Sequence, residues 1–287
     1  PSIRAVARST PATKLRVVKA LKAAGEVVAL TGDGINDAPA ITAADVGIAM
    51  GSGTEVSKQA ADIVLLDDSF KTIVGAVQWG RGIYENFQRF ILFQLSVNVA
   101  AVAVVILCTL FDLATPFNAL MLLWINLIMD GPPALTLGLE KIRGDIMRRK
   151  PTRRNASIVT KRMFVRIFTV GLFMAATLIL QMLFNFMRIV PEQEKTFVFT
   201  VFVLFQIFNA FNARELGEDS LFKNLLSNKP MLCVMAATIG LQVLITQFGT
   251  LVFDTVPLGL TAWLKAFALS LSIVVFTEVY KVIMRPV

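Results

Sequence analysis

The chain changes its hydrophobic rhythm near residue 90. Before that point apolar and polar positions alternate in short blocks. Thr10–Ala24 (TPATKLRVVKALKAA) sets Leu15, Val18 and Leu21 on one face of a predicted helix, with Gly25 as its stop. Glu26–Thr31 (EVVALT), Val46–Met50 and Ile63–Leu66 are short apolar runs of the kind that form buried strands. Gly-rich loops and short helical stretches separate them. Helices alternating with apolar strands predict a parallel sheet covered on both faces. No internal repeat or low-complexity segment stands out.

After Arg89 the apolar runs lengthen and lose their charge. A helix needs about 20 apolar residues to cross a bilayer. Six segments read this way: Phe90–Leu110, Phe117–Leu139, Met163–Met187, Thr196–Ala213, Met231–Phe253 and Ala262–Ile283. A buried core helix explains any one of them, but not six in succession. The predicted division is a soluble α/β part over 1–80, a stalk over 81–89 (within RGIYENFQRF, Arg81–Phe90) and an all-α membrane bundle over 90–287. Asp68 to Leu110 holds no strong helix breaker, and Gly75, Gly80 and Gly82 are its only soft points. It predicts one long helix joining the two parts.

Composition agrees with the pattern. Of 287 residues, 55% are hydrophobic and only 17% charged, against roughly 25% in ordinary soluble domains. That excludes a plain soluble enzyme, a disordered chain and a disulfide scaffold. His is absent, which removes His bases, His metal sites and His triads. Cys108 and Cys233 lie in separate apolar runs and form neither a disulfide framework nor a zinc motif. The net charge of +8 is a matter of topology rather than of nucleic acid. Lys and Arg concentrate before residue 90 and in Glu140–Arg162, with fewer in Arg214–Pro230 and almost none in the intervening connections. The positive-inside rule then puts the soluble part, the basic loops and the C-terminus on the cytoplasmic side. The chain opens at Pro1 without Met or signal peptide, and reads as a piece of a longer protein.

The densest chemistry in the soluble part is TGDGINDAPA, which follows the first strand. Ligands of parallel α/β sheets bind at the carboxyl ends of strands. Gly32 and Gly34 let the backbone turn closely around Asp33. Asp33, Asp37 and the Asn36 amide form a hard oxygen set suited to Mg²⁺ with a phosphate. Lys14 is a candidate cation for the same phosphate. The simpler alternative is an Asx turn at Asp33 and a helix cap at Asp37.

In the membrane part, LWINLIMDGPPALTLGLE (Leu123–Glu140) places Asn126 and Asp130 four residues apart on one predicted helical face. A carboxylate at mid-membrane costs roughly 2.5–3.5 kcal/mol on insertion scales and marks a functional position. Gly131, Pro132 and Pro133 follow, and prolines leave carbonyl oxygens without helical donors. Carboxylate, amide and free carbonyls together suit Ca²⁺. Asn98 in the first span is a further amide, with interhelical hydrogen bonding as its alternative role. The later spans read as scaffold, with Lys265 and Glu278 reaching toward the interfaces.

These motifs carry a family resemblance. TGDGINDAPA followed by DVGIAMGSGTEVSKQAADIVLLDD (Asp45–Asp68) resembles the phosphorylation-domain end of P-type cation-transporting ATPases, a haloacid-dehalogenase-like, Rossmann-like fold. The resemblance implies that Asp33 binds Mg²⁺, that Asp37 organises the site, and that Lys14 (in ARSTPATK) contacts an aspartyl-phosphate. It further implies that Arg8 and Asn36 lie near the phosphates of ATP. LWINLIMDGPPAL is similar to the sixth-helix motif of Ca²⁺-ATPases, which makes Asn126 and Asp130 Ca²⁺ ligands and Asn98 a less secure one.

The departures narrow the likeness. Ala101, Met129 and Gln206 stand where the two-site sarcoplasmic-reticulum type has an acid, a Thr and another acid. The chain therefore resembles the plasma-membrane type, with one Ca²⁺ per cycle. The family's Asp-Lys-Thr-Gly-Thr and Thr-Gly-Glu motifs do not occur in it. The resemblance implies that the phosphorylated Asp, the actuator and nucleotide domains and the first four helices are supplied by an upstream portion. The fragment alone is then inactive. A pump for Na⁺, K⁺ or H⁺ and a truncated membrane scaffold or regulator are the alternatives. A heavy-metal pump would carry Cys-Pro-Cys in a span, which this chain lacks.

Overall fold

Thr10 caps the first helix, α1 (Pro11–Ala23), by accepting a hydrogen bond from the Thr13 amide, and Pro11 fits the first turn where no donor is needed. Gly25 at φ +85° ends it. Strand β1 (Ala29–Gly32) leads into a 3₁₀ turn (Ile35–Asp37) and α2 (Ala38–Ala43). Then come β2 (Val46–Met50), α3 (Glu55–Ala60) and β3 (Ile63–Leu65). The computed structural model describes residues 5–143, 145–217 and 219–284.

The three strands form a parallel sheet in the order β1-β2-β3, with Ala29 opposite Val46 and Ile48 opposite Ile63. Two connections share one device. Asp45 accepts from the Val28 amide at 3.0 Å, and Asp62 accepts from the Gly47 amide at 2.8 Å. Each Asp closes an Ala-Ala-Asp triplet just ahead of its strand. This short repeat lies under the pattern that first reads as non-repetitive. Val18, Val28 and Ala40 make the small core. Ile63 and Val64 stay more than a third exposed, so the described residues do not cover the sheet fully on both faces. The first strand also starts later than the apolar run Glu26–Thr31 suggests, because the Val28 amide is spent on Asp45.

Helix α4 (Phe70–Leu110) runs unbroken through 41 residues, as the lack of breakers predicts. The second span is not one helix. It is α5 (Ala119–Trp124), a π turn (Ile125–Met129) and α6 (Gly131–Leu137). After it come α7 (Lys161–Phe184), α8 (Pro191–Ala213), α9 (Lys229–Phe248), α10 (Thr250–Phe253) and α11 (Leu260–Ile283). Six elements are long and apolar enough to cross a membrane, α5 to α6 counting as one. The fifth breaks at Gly249, before the Phe253 that the sequence suggests as its end.

The described residues form two compact units. The first reaches Gly82 and takes in Ile142–Ser157. In it the basic segment is tied down: Arg154 pairs with Asp45 at 2.8 Å, and Arg81 donates to the Ile146 and Arg149 carbonyls. The second unit holds Ile83–Lys141 and the residues from Ile158 on. Its central helix is α8, buried almost throughout, with Phe197, Phe199, Phe202 and Phe205 fully enclosed. A helix that is apolar all round is a core helix, and much of the chain's abundant Phe packs there. On α11, Ala266, Ser270 and Ile273 are buried, and the small Ala266 and Ser270 allow close approach, with the Ser270 hydroxyl donating to the Val201 carbonyl of α8.

Candidate functional site

The soluble unit gathers Asp33, Asp37 and Lys14 at the carboxyl end of β1. Asp37 is buried, and its Oδ2 accepts the backbone amides of Asp33 at 3.3 Å and Gly34 at 3.4 Å. Lys14 reaches from α1 to its Oδ1. Burial disfavours the charge of Asp37, but the Lys14 hydrogen bond and the two amides more than offset this and hold its carboxyl below the usual range. Asp37 therefore fixes the loop with both oxygens engaged, reaching back to the amides before it rather than capping α2 with its side chain.

Asp33 is the opposite case. It is exposed, and no hydrogen bond or ion pair engages its carboxylate among the described residues. Its carbonyl is held by the Thr54 amide at 2.8 Å and the Ser57 hydroxyl at 3.2 Å. The backbone is thus anchored while the side chain is open. Glycines make the arrangement possible. A Cβ on Gly32 would stand 2.5 Å from the Asp37 Cβ, and one on Gly53 would stand 2.9 Å from the Asp33 carbonyl oxygen. An anchored, uncommitted carboxylate fits Mg²⁺, and Asp37 does not fit as a direct ligand. Asn36 is exposed in the 3₁₀ turn, and Arg8 is exposed before α1 at φ +52°. Neither bonds to Asp33 or Asp37.

In the second unit the chemistry centres on Asp130, which is 2% exposed. The helical ladder changes before the prolines, not at them. The Asp130 amide bonds to the Ile125 carbonyl at 3.0 Å, five residues back, which is the π turn. Pro132 and Pro133 then fall in the first turn of α6, where missing donors cost nothing in that helix. The site motif is consequently irregular over Ile125–Met129, and Asn126 is exposed while Asp130 is buried. The expectation of two groups on one regular helical face does not hold, because a five-residue bond interrupts the four-residue repeat. Asn98 on α4 is exposed and has no hydrogen bond among the described residues.

Sequence reasoning passed over two features here. Gln94 on α4 donates to Asp130 Oδ2 at 2.9 Å, whereas Asp130 Oδ1 is buried without a partner. Its signal was a lone Gln in an apolar span, one turn before Asn98. The second is a buried charge node at the end of α6. Arg214 pairs with Glu140 at 2.5 Å, Asn228 donates to the same carboxylate at 2.8 Å, and Arg89 donates to the Arg214 carbonyl at 2.9 Å. Gln206, at the position of the second absent acid, is 1% exposed with neither polar atom bonded.

An Asp-bearing loop on a parallel sheet, followed by six membrane-length helices, one of them broken at a buried carboxylate, defines a membrane protein with a haloacid-dehalogenase-like soluble part. The profile of the cation-transporting ATPase C-terminus family matches residues 114–283, and that of haloacid dehalogenase-like hydrolases matches 12–76. The chain belongs to the cation-transporting ATPase family. It is 41% identical over 271 residues to the plasma membrane-type calcium-transporting ATPase 12 of Arabidopsis thaliana, covering 93% of this chain and 26% of that protein. It is 38% identical over 293 residues to the human calcium-transporting ATPase type 2C member 1, covering 99% and 31%. Calcium-transporting ATPase 1 of Schizosaccharomyces pombe is 51% identical over 162 residues, covering 56% and 18%. The chain thus spans less than a third of the length of these relatives.

Proposed function

We propose that the chain is the C-terminal part of an ATP-driven Ca²⁺ pump that exports Ca²⁺ from the cytoplasm through an aspartyl-phosphate. The observation that carries this reading is the buried Asp130, with one oxygen unclaimed, inside a helix broken next to it. A lone carboxylate kept in a membrane unit is costly and marks an ion path. Asn126, the carbonyls around the break and, less securely, Asn98 would complete the oxygen set for Ca²⁺ together with residues of the upstream portion. No further acid is needed for a single divalent ion. The names of the relatives support Ca²⁺ over Na⁺, K⁺ or H⁺.

In the soluble unit, Asp33 would hold Mg²⁺, which when bound screens phosphate charge. Lys14 would add a cation at the same phosphate, already oriented by Asp37. Asp37 keeps the Asp33–Gly34 backbone in place, so that no loop must reorganise when the phosphate arrives. Arg8 and Asn36 would face the phosphates of ATP supplied by the nucleotide domain. The soluble part and C-terminus would be cytoplasmic, and the plasma membrane the site of action.

The test is ATP-dependent ⁴⁵Ca²⁺ uptake by vesicles carrying the full-length protein. Uptake should vanish in Asp33→Asn and in Asp130→Asn. Only Asp33→Asn should also block phosphoenzyme formation from inorganic phosphate in the absence of Ca²⁺, through loss of Mg²⁺. Uptake that survives Asp130→Asn would exclude this carboxylate as a ligand. Uptake of another ion in place of Ca²⁺ would favour the alternative pumps.

A further inference from the structure

Two amides stand one helical turn apart in the middle of α4, the half-buried Gln94 and the exposed Asn98. Only Gln94 meets the buried carboxylate. Its Nε2 donates to Asp130 Oδ2 at 2.9 Å, across 36 residues of sequence. Among the described residues no other side chain bonds to that carboxylate, and Oδ1 is buried and unpartnered.

The chemical type of the partner matters. A Lys or Arg at this place would neutralise Asp130 permanently and compete with any cation. A Leu would leave the carboxylate to choose its own rotamer. An amide N–H fixes one oxygen and leaves the charge intact. The second oxygen is then presented in a defined direction without a competing donor. Gln94 is itself half-buried, so the hydrogen bond is shielded from competing water and gains strength.

Resting on the transport reading above, we propose that Gln94 is a positioning residue of the cation site: its hydrogen bond to Asp130 Oδ2 aims Oδ1 at the transported ion. Gln94 thereby sets cation affinity from a helix that continues into the soluble unit. It takes no part in phosphoryl transfer.

The experiment uses the full-length protein in membrane vesicles and two readouts. One is phosphoenzyme formed from ATP as a function of free Ca²⁺. The other is phosphoenzyme formed from inorganic phosphate without Ca²⁺, the reverse of hydrolysis, which reports a folded soluble site. Gln94→Met keeps length and volume and removes the donor. Its half-saturating Ca²⁺ should rise about tenfold, with the maximal level and the phosphate-derived level unchanged. Gln94→Lys keeps a donor and adds charge, and should abolish the Ca²⁺ dependence while the phosphate-derived level stays. A half-saturating Ca²⁺ for Gln94→Met within twofold of wild type overturns the proposal. So does an equal fall of both readouts, which marks a merely structural residue. Should Gln94→Met not accumulate, Gln94→Asn, whose amide is one methylene too short, is read by the same criteria. Wild-type protein with no Ca²⁺ dependence would overturn the transport reading itself. A Ca²⁺-dependent wild type with an indifferent Gln94 overturns this inference alone.

Discussion

Lys14 and Asp37, 23 residues apart in sequence, form an ion pair that closes the loop carrying Asp33. Asp37 holds two backbone amides of that loop with its other oxygen. Its carboxyl sits below the ordinary range in the folded protein. A depressed carboxylate stabilises the fold fully above its unfolded pKa, about 3.9, and the gain is lost as pH falls through the lower folded value. At neutral pH Asp37→Asn should therefore lower the melting temperature of the soluble unit. The gap to wild type should shrink as pH drops from 5 toward 3. Scanning fluorimetry of the full chain across that range checks it, and a gap independent of pH would show that the charge of Asp37 is not what stabilises the loop.

Gly53 is the second support of Asp33. A Cβ there would meet the Asp33 and Met50 carbonyl oxygens at 2.9 Å, and both are backbone atoms that cannot swing aside. Overpacking of this kind costs about 1–3 kcal/mol, and its relief would shift the Asp33 backbone. Gly53→Ala should raise the Mg²⁺ concentration for half-maximal phosphoenzyme in the full-length protein several-fold. Gly75→Ala is the matched control, since a Cβ there meets nothing within 4 Å on the helix surface. It should leave Mg²⁺ dependence unchanged and, if anything, raise stability by roughly 0.4–1 kcal/mol. Equal effects of the two substitutions would refute the steric argument.

Arg214 and Glu140 are 4% and 11% exposed, and they meet through two contacts, at 2.5 and 3.3 Å. The Arg214 guanidinium also donates to the Leu225 carbonyl and the Ser227 hydroxyl. Removing one partner of a buried pair leaves an uncompensated charge and costs about 3–5 kcal/mol. Arg214→Leu should thus destabilise the membrane unit strongly in detergent. The double variant Arg214→Leu with Glu140→Leu should recover part of the loss, because both charges are then gone. If the double variant is as unstable as the sum of the singles, the pair has no coupling.

The periodicity of the chain made much of this architecture legible. Six apolar runs of bilayer length and three short strands become six membrane-length helical segments, the second and fifth of them interrupted, and a parallel sheet. The ends shift where a side chain intervenes, as at Val28, whose amide goes to Asp45. In the soluble part the sequence pointed to the loop itself, because Gly32 and Gly34 on either side of Asp33 mark a tight turn and a close backbone approach that a Cβ would obstruct at Gly32. The membrane site was less so. A π turn has no simple sequence signature, so the burial of Asp130 and the exposure of Asn126 could not be read from a four-residue repeat. Gln94, Arg214 and Asn228 are ordinary polar residues whose partners lie 36, 74 and 88 residues away. Such pairings exist only once the helices have packed.

Among the described residues helix α4 is the one element that both compact units share, and it is continuous from Phe70 to Leu110. Its continuity makes it the natural carrier of any link between phosphorylation and the Gln94–Asp130 contact. Proline in a helix interior removes a hydrogen bond, clashes with the preceding turn and costs about 3 kcal/mol or more. Tyr84→Pro in the full-length protein should interrupt α4 between the two units while leaving the residues of both sites in place. Ca²⁺-dependent ATP hydrolysis should then persist at a reduced rate, and the Ca²⁺ taken up per ATP hydrolysed should fall. Tyr84→Ala, which keeps the helix, should preserve the ratio and so separates loss of the ring from loss of the helix. Simultaneous measurement of ⁴⁵Ca²⁺ uptake and phosphate release in sealed vesicles decides the matter. An unchanged ratio in Tyr84→Pro would mean that the link runs through elements other than α4.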